Sequence, residues 1–101
     1  DGMPTKNCVL FGESNVDMSP CGTGTCAKMA LLASRGKLAP GEIFEHESIV
    51  GSLFYGSYKE GPEIGGYRTI LPFIRGRARI TGLNFLVQQR DDEMVSGFLL
   101  P

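Results

Sequence analysis

Cysteine and histidine are the side chains most able to move protons near neutral pH, and this sequence offers Cys8, Cys21, Cys26 and His46. Cys21 alone lies in a setting that would activate it. The run Asp17-Met18-Ser19-Pro20-Cys21-Gly22-Thr23-Gly24-Thr25 leads from a short apolar segment into a stretch rich in Ala, Leu and Met, which places it at the entrance of a helix. The first amides of a helix have no partner inside it, and together with the helix dipole they attract an anion. Gly22 and Gly24 would let that anion reach the backbone, and the same field favours a thiolate at Cys21. Cys21 is therefore a candidate base or nucleophile. Residue chemistry alone leaves a plainer alternative open, in which the glycines shape a tight turn and Cys21 is a small buried side chain.

Other patterns compete for the same residues. Gly22-Thr-Gly24-Thr-Cys-Ala27 fits the dinucleotide pattern G-x-G-x-x-A in form, but a polar loop separates it from its strand, whereas a dinucleotide-binding turn follows its strand directly. A Walker-type phosphate loop fails outright, because Ala27 and Met29 flank Lys28 where Gly and Ser or Thr are required. The cysteines show no CxxC spacing, and Cys26, five residues after Cys21, would point away from it on a helix, so no metal site or disulfide is expected and Cys26 reads as core. His46 falls in a predicted strand and reads as structural. Arg75, Arg77 and Arg79 alternate, which puts them on one solvated strand face. Met3, Met18, Met29 and Met94 share no spacing and read as packing or chance.

The elements that must position Cys21 follow from periodicity. Cys8 to Phe11 reads as a strand ended by Gly12, with a loop over Glu13 to Asn15. Thr25 to Arg35 is the one plain helix, with Gly36 as its left-handed stop. Its apolar residues point in nearly every direction, which predicts burial on most sides and something wrapped around it. The wrapping is predicted downstream, in short β-prone runs over Glu42 to Val50, Ser52 to Tyr55, Tyr67 to Phe73, Arg77 to Thr81 and Phe85 to Gln88. Pro72 marks its run as an edge or a bulge, and Ser57 to Gly66 reads as a loop. The expected class is α+β, a curled and mostly antiparallel sheet around one central helix.

At 101 residues the chain has room for one core and no second independent domain. A net charge of −1 gives no drive toward nucleic acid or an anionic membrane, and the longest apolar stretch, Met29 to Ala33, is far too short to span a bilayer. A soluble protein with a small or neutral partner is expected. Unpaired cysteines point to a reducing compartment, hence the cytoplasm.

The run Asp17 to Thr25, the following Ala27-Lys28-Met29-Ala30, Gly36-Lys37-Leu38, Gly41-Glu42, His46-Glu47-Ser48-Ile49-Val50-Gly51-Ser52, Ile80-Thr81-Gly82 and Gly97-Phe98 together resemble the proline racemase family. Met18 and Cys26 depart from it, where Arg and Ser are usual. The resemblance implies a diaminopimelate-epimerase-like enzyme of two similar halves, each a curled sheet around a helix, with residues 1–101 as the C-terminal half-domain. The opening Asp1-Gly2-Met3 fits a cut fragment, inactive without its N-terminal half, and a homodimer is compatible with the family. By the same resemblance Cys21 is one of two acid/base thiols, Gly22 and Thr23 hold the substrate carboxylate, Asp17 accepts from the ring ammonium, and no cofactor is needed. The second thiol belongs to the absent half. Proline is the expected substrate and hydroxyproline, by 2-epimerisation, the second, because Phe11 matches the bulky residue of proline racemases at a position where hydroxyproline 2-epimerases carry a smaller or more polar one. Dehydration of 3-hydroxyproline is disfavoured, since dehydratases often have Thr in place of Cys21.

Overall fold

A computed structural model describes residues 5–101, so Met3 lies outside the described residues. The elements run β1 (Thr5–Lys6), β2 (Leu10–Phe11), β3 (Asn15–Val16), α1 (Gly22–Ser34), β4 (Phe44–Glu47), β5 (Leu53–Glu60) and β6 (Ile70–Arg75). Four strands form one sheet in the order β1-β4-β5-β6, with β1 parallel to β4 and the other pairs antiparallel. Of the first strand expected over Cys8 to Phe11, only Leu10–Phe11 forms. Gly12 takes a left-handed conformation and turns the chain, so β2 and β3 make a two-stranded hairpin of their own and Asn15 belongs to a strand instead of a loop.

The α+β class and the largely antiparallel pairing are as expected, but the sheet is not curled. Four strands are too few to close around a helix, and they cover one side of it. Of the helix residues only Thr25 and Met29 are buried, while Ala27, Ala30 and Leu31 stand exposed, so the expectation of burial on most sides does not hold for this chain. Cys26 is likewise half-buried at the edge of a groove and not in the core. The helix ends as predicted at Gly36, whose positive φ lets its amide reach the Ala33 carbonyl while Lys37 reaches that of Leu32.

Met29, Leu38, Phe44 and Tyr58 form the core, with Leu32, Ala33, Ile70 and Ile74 packed around it. Strand β5 extends well into the expected Ser57–Gly66 loop. Alternation explains this: Gly56 and Tyr58 face inward, and the Tyr58 hydroxyl donates to the Leu38 carbonyl at 2.6 Å. The approach at Gly56 is close, since a Cβ there would stand 2.6 Å from Met29 Sδ and the thioether would have to shift. Strand β6 is an edge, which suits Pro72. Beyond it the predicted strands over Arg77–Thr81 and Phe85–Gln88 are not formed, so Arg77 and Arg79 share no strand face with Arg75, which stacks on Tyr55 with its guanidinium carbon 5.1 Å from the ring centre. Met29 is the centre of the core, whereas Met18 and Met94 are exposed.

Candidate active site

The site is a loop held at both ends with a cysteine at its tip. Asp17 begins it by donating its amide to the Val9 carbonyl at 2.9 Å, which ties the loop to the segment between β1 and β2. The Asp17 carboxylate accepts from the Ser19 amide at 2.8 Å, and the Ser19 hydroxyl accepts from the Cys21 amide at 3.0 Å. From the far side, the Ser52 hydroxyl donates to the Met18 carbonyl at 3.1 Å and meets the Ser48 hydroxyl at 2.7 Å. Pro20, the last residue before the cysteine, is fully buried.

Cys21 caps α1. Its backbone has φ 69° and ψ 124°, and among the described residues it is the one non-glycine with positive φ. That conformation is sparsely populated and strained, and it turns the side chain back over the first turn. Sγ accepts from the Gly24 amide at 3.3 Å, and the Cys21 carbonyl accepts from the Thr25 amide at 2.9 Å. No acceptor among the described residues is paired with the amides of Gly22 and Thr23. A Cβ on Gly22 would meet nothing within 4 Å, so the helix entrance is uncrowded at this residue.

The loop thus brings together four of the five residues expected at the site, Asp17, Cys21, Gly22 and Thr23. Phe11 is on the β2–β3 hairpin that leads into the loop, 55 % exposed. Sequence reasoning passed over Ser19, Thr25, Ser48 and Ser52 as functional residues, and it gave His46 no link to Cys21. The signal was the string His46 to Ser52, which supplies the hydroxyls and the imidazole lying beneath the cysteine loop. Asn7 also escaped notice; its side chain lies against Gly24, 3.6 Å from where a Cβ would stand.

The rival motifs find no support in this geometry. The strand before Gly22 is β3, half of an antiparallel hairpin and separated from the helix by the loop, so no β-α-β phosphate turn exists here. Among the described residues no cluster of His, Cys, Asp or Glu could hold a metal ion, and no helix is long and apolar enough to cross a membrane.

Fold and site together define an α+β unit that offers a strained cysteine beside unpaired amides at a helix N-terminus. The chain belongs to the proline racemase family, whose profile, described as proline racemase, matches residues 1–99, and its relatives are isomerases. It is 48 % identical over 93 residues to a 4-hydroxyproline 2-epimerase of Brucella suis biovar 1 and 47 % identical to a 4-hydroxyproline epimerase of Brucella abortus strain S19. Both matches cover 92 % of this chain and 28 % of the relative, so most of each relative's length lies outside the match. Two crystal structures superpose closely. A probable proline racemase from Agrobacterium radiobacter K84, with bound carbonate, has a TM-score of 0.78 at 37 % identity, covering 94 % of this chain and 28 % of that one. A hydroxyproline epimerase from Agrobacterium vitis, with bound trans-4-hydroxy-L-proline, has a TM-score of 0.79 at 34 % identity, covering 94 % and 27 %.

Proposed function

We propose that this chain supplies one acid/base thiol, Cys21, to a cofactor-independent inversion at the α-carbon of a proline-type amino acid. The observation that carries the reading is the placement of Cys21 Sγ over the first turn of α1, beside the unpaired amides of Gly22 and Thr23. Removing an α-proton next to an ionised carboxylate builds negative charge on charge, and backbone amides aimed at that carboxylate lower the cost. Gly22 and Thr23 supply such amides. Asp17 keeps a carboxylate oxygen beyond the one bound to Ser19 and can accept from the ring ammonium. In one direction the Cys21 thiolate takes the α-proton while an acid outside this chain delivers another to the opposite face; in the reverse direction the Cys21 thiol delivers it. This requires the complementary part of a longer protein, which the 28 % match to the relatives accommodates.

For the substrate, 4-hydroxyproline stands first, because the relatives at 48 % identity carry that name. Proline is the second reading, favoured by Phe11. Phe11 is half exposed on its hairpin, and an apolar wall rejects an added hydroxyl by only about 1–3 kcal/mol, so it weighs less. In the full-length protein, turnover of trans-4-hydroxy-L-proline is expected to exceed that of L-proline, and the opposite order would restore proline to first place. Cys21→Ser is expected to lower kcat by about a hundredfold or more for either substrate. Unchanged turnover would remove Cys21 from the chemistry.

A further inference from the structure

The helix side of Cys21 rests on a buried polar pair that the proton transfer does not itself use. Thr25 and His46 are both sealed from solvent, 0 % and 1 % exposed, and Thr25 Oγ1 lies 2.8 Å from His46 Nδ1. The same Oγ1 lies 2.6 Å from the Cys21 carbonyl oxygen and 3.4 Å from that of Pro20. A threonine hydroxyl has one proton to give. A carbonyl at 2.6 Å takes it, because that oxygen has no hydrogen of its own and can hold this distance only as an acceptor. His46 Nδ1 must then carry the hydrogen and donate to Thr25. The ring's remaining nitrogen, Nε2, is buried with no partner among the described residues, and this assignment leaves it there as a bare lone pair instead of an unsatisfied N–H.

We propose that Thr25 and His46 are positioning residues for Cys21, with His46 fixed as the Nδ1–H tautomer so that the Thr25 hydroxyl is committed to the Cys21 carbonyl. Clamping that carbonyl from the helix side, while Ser19 holds the Cys21 amide from the loop side, locks the strained φ and aims Sγ over the helix N-terminus. Burial, and secondarily the charge of Lys28, hold the His46 imidazole below its ordinary value, so it stays neutral and able to serve in this form.

The proposal rests on Cys21 as the acid/base, and the experiment separates the two. In the full-length protein, Thr25→Val is expected to lower kcat by about ten- to a hundredfold with KM within about twofold, because a thiol misplaced by a fraction of an ångström still leaves the carboxylate site intact. Thr25→Ser, which restores the hydroxyl, recovers most of that loss. Equal losses in the Val and Ser variants, or none in Val, would overturn the proposal. If Thr25→Val does not fold, His46 decides. His46→Asn can place an amide nitrogen near Nδ1 and should exceed His46→Leu by about tenfold in kcat, whereas equal activities would overturn the assignment. Nitrogen-15 spectra of the imidazole read the tautomer without turnover, and an Nε2–H form would overturn it even where Cys21→Ser confirms the thiol. Normal turnover of Cys21→Ser would instead strike the catalytic reading and leave the tautomer to be judged by its own spectrum.

Discussion

A non-glycine residue held at φ 69° and ψ 124° costs on the order of 1–3 kcal/mol, and at Cys21 that cost coincides with the one thiol placed over a helix N-terminus. The strain comes from Cβ, so it can be isolated by comparing two variants that both lack sulfur. Cys21→Gly is expected to unfold about 1 kcal/mol later in denaturant than Cys21→Ala, against the usual penalty that glycine carries in the unfolded chain. An alanine variant more stable than the glycine variant, by the roughly 0.4–1 kcal/mol seen at unstrained positions, would mean that this backbone is relaxed. At this scale much of the site was legible. Asp17, Cys21, Gly22 and Thr23 stood in one continuous motif, and the helix-entrance argument needs only local sequence. What could not be read was the support from elsewhere in the chain, since the bonds from Ser52 to Met18 and from His46 to Thr25 join residues 34 and 21 positions apart.

Strand β4 and helix α1 meet at His46, and that contact sets a pH dependence for the unit. His46 has Thr25 and Lys28 from α1 on one side, with Thr5 of β1 and Phe54 of β5 as its strand neighbours. Its folded-state value lies below the ordinary 6.5 because burial, and then Lys28, oppose the charge. The unfolded chain therefore binds the proton first as the pH drops. The stability contributed by neutral His46 is full above about pH 6.5 and is lost as the pH falls through the lower folded-state value. Denaturant titrations should show this decline in the wild type and a smaller one in His46→Asn; identical slopes would show that His46 is not the titrating group. Packing between β5 and α1 gives a second expectation. Gly56→Ala forces a Cβ against the fully buried Met29 and should cost about 1–3 kcal/mol, and a neutral change would mean that the thioether moves aside. The sequence disclosed the helix stop at Gly36 and the edge character of β6, because glycine and proline act locally. It misjudged β5, whose outer residues Lys59 and Glu60 look like loop although Gly56 and Tyr58 point into the core.

The whole chain is larger than its own core can explain. Its radius of gyration is 19.4 Å, where a compact chain of about 100 residues has roughly 13 Å, and its accessible surface is 8689 Å², where its mass predicts about 5,600 Å². Much of the excess lies after β6, in a stretch with Ile80, Leu83, Phe85 and Leu86 at 89 to 95 % exposure. The sequence reads Arg77–Thr81 and Phe85–Gln88 as strands, and the structure forms neither. The reason is physical: a strand's backbone bonds come from a neighbour, and β-propensity cannot supply one. The exposed face of α1 at Ala27, Ala30 and Leu31 lacks cover in the same way. Both observations fit the 28 % share of the relatives that this chain matches. The 101 residues alone should therefore bind a hydrophobic dye, self-associate, and turn over neither L-proline nor trans-4-hydroxy-L-proline, and a purified chain with turnover would contradict the need for an acid from outside it. Hydrogen exchange tests the strand reading directly. In the isolated chain the amides of residues 77–88 should exchange at the rate of free peptide, whereas in the full-length protein they should be protected at least about a hundredfold, as paired strands are. Protection already present in the isolated chain would mean that the segment finds its partners within these 101 residues. Free exchange in the full-length protein would mean that its apolar residues are covered by side-chain packing without strand pairing.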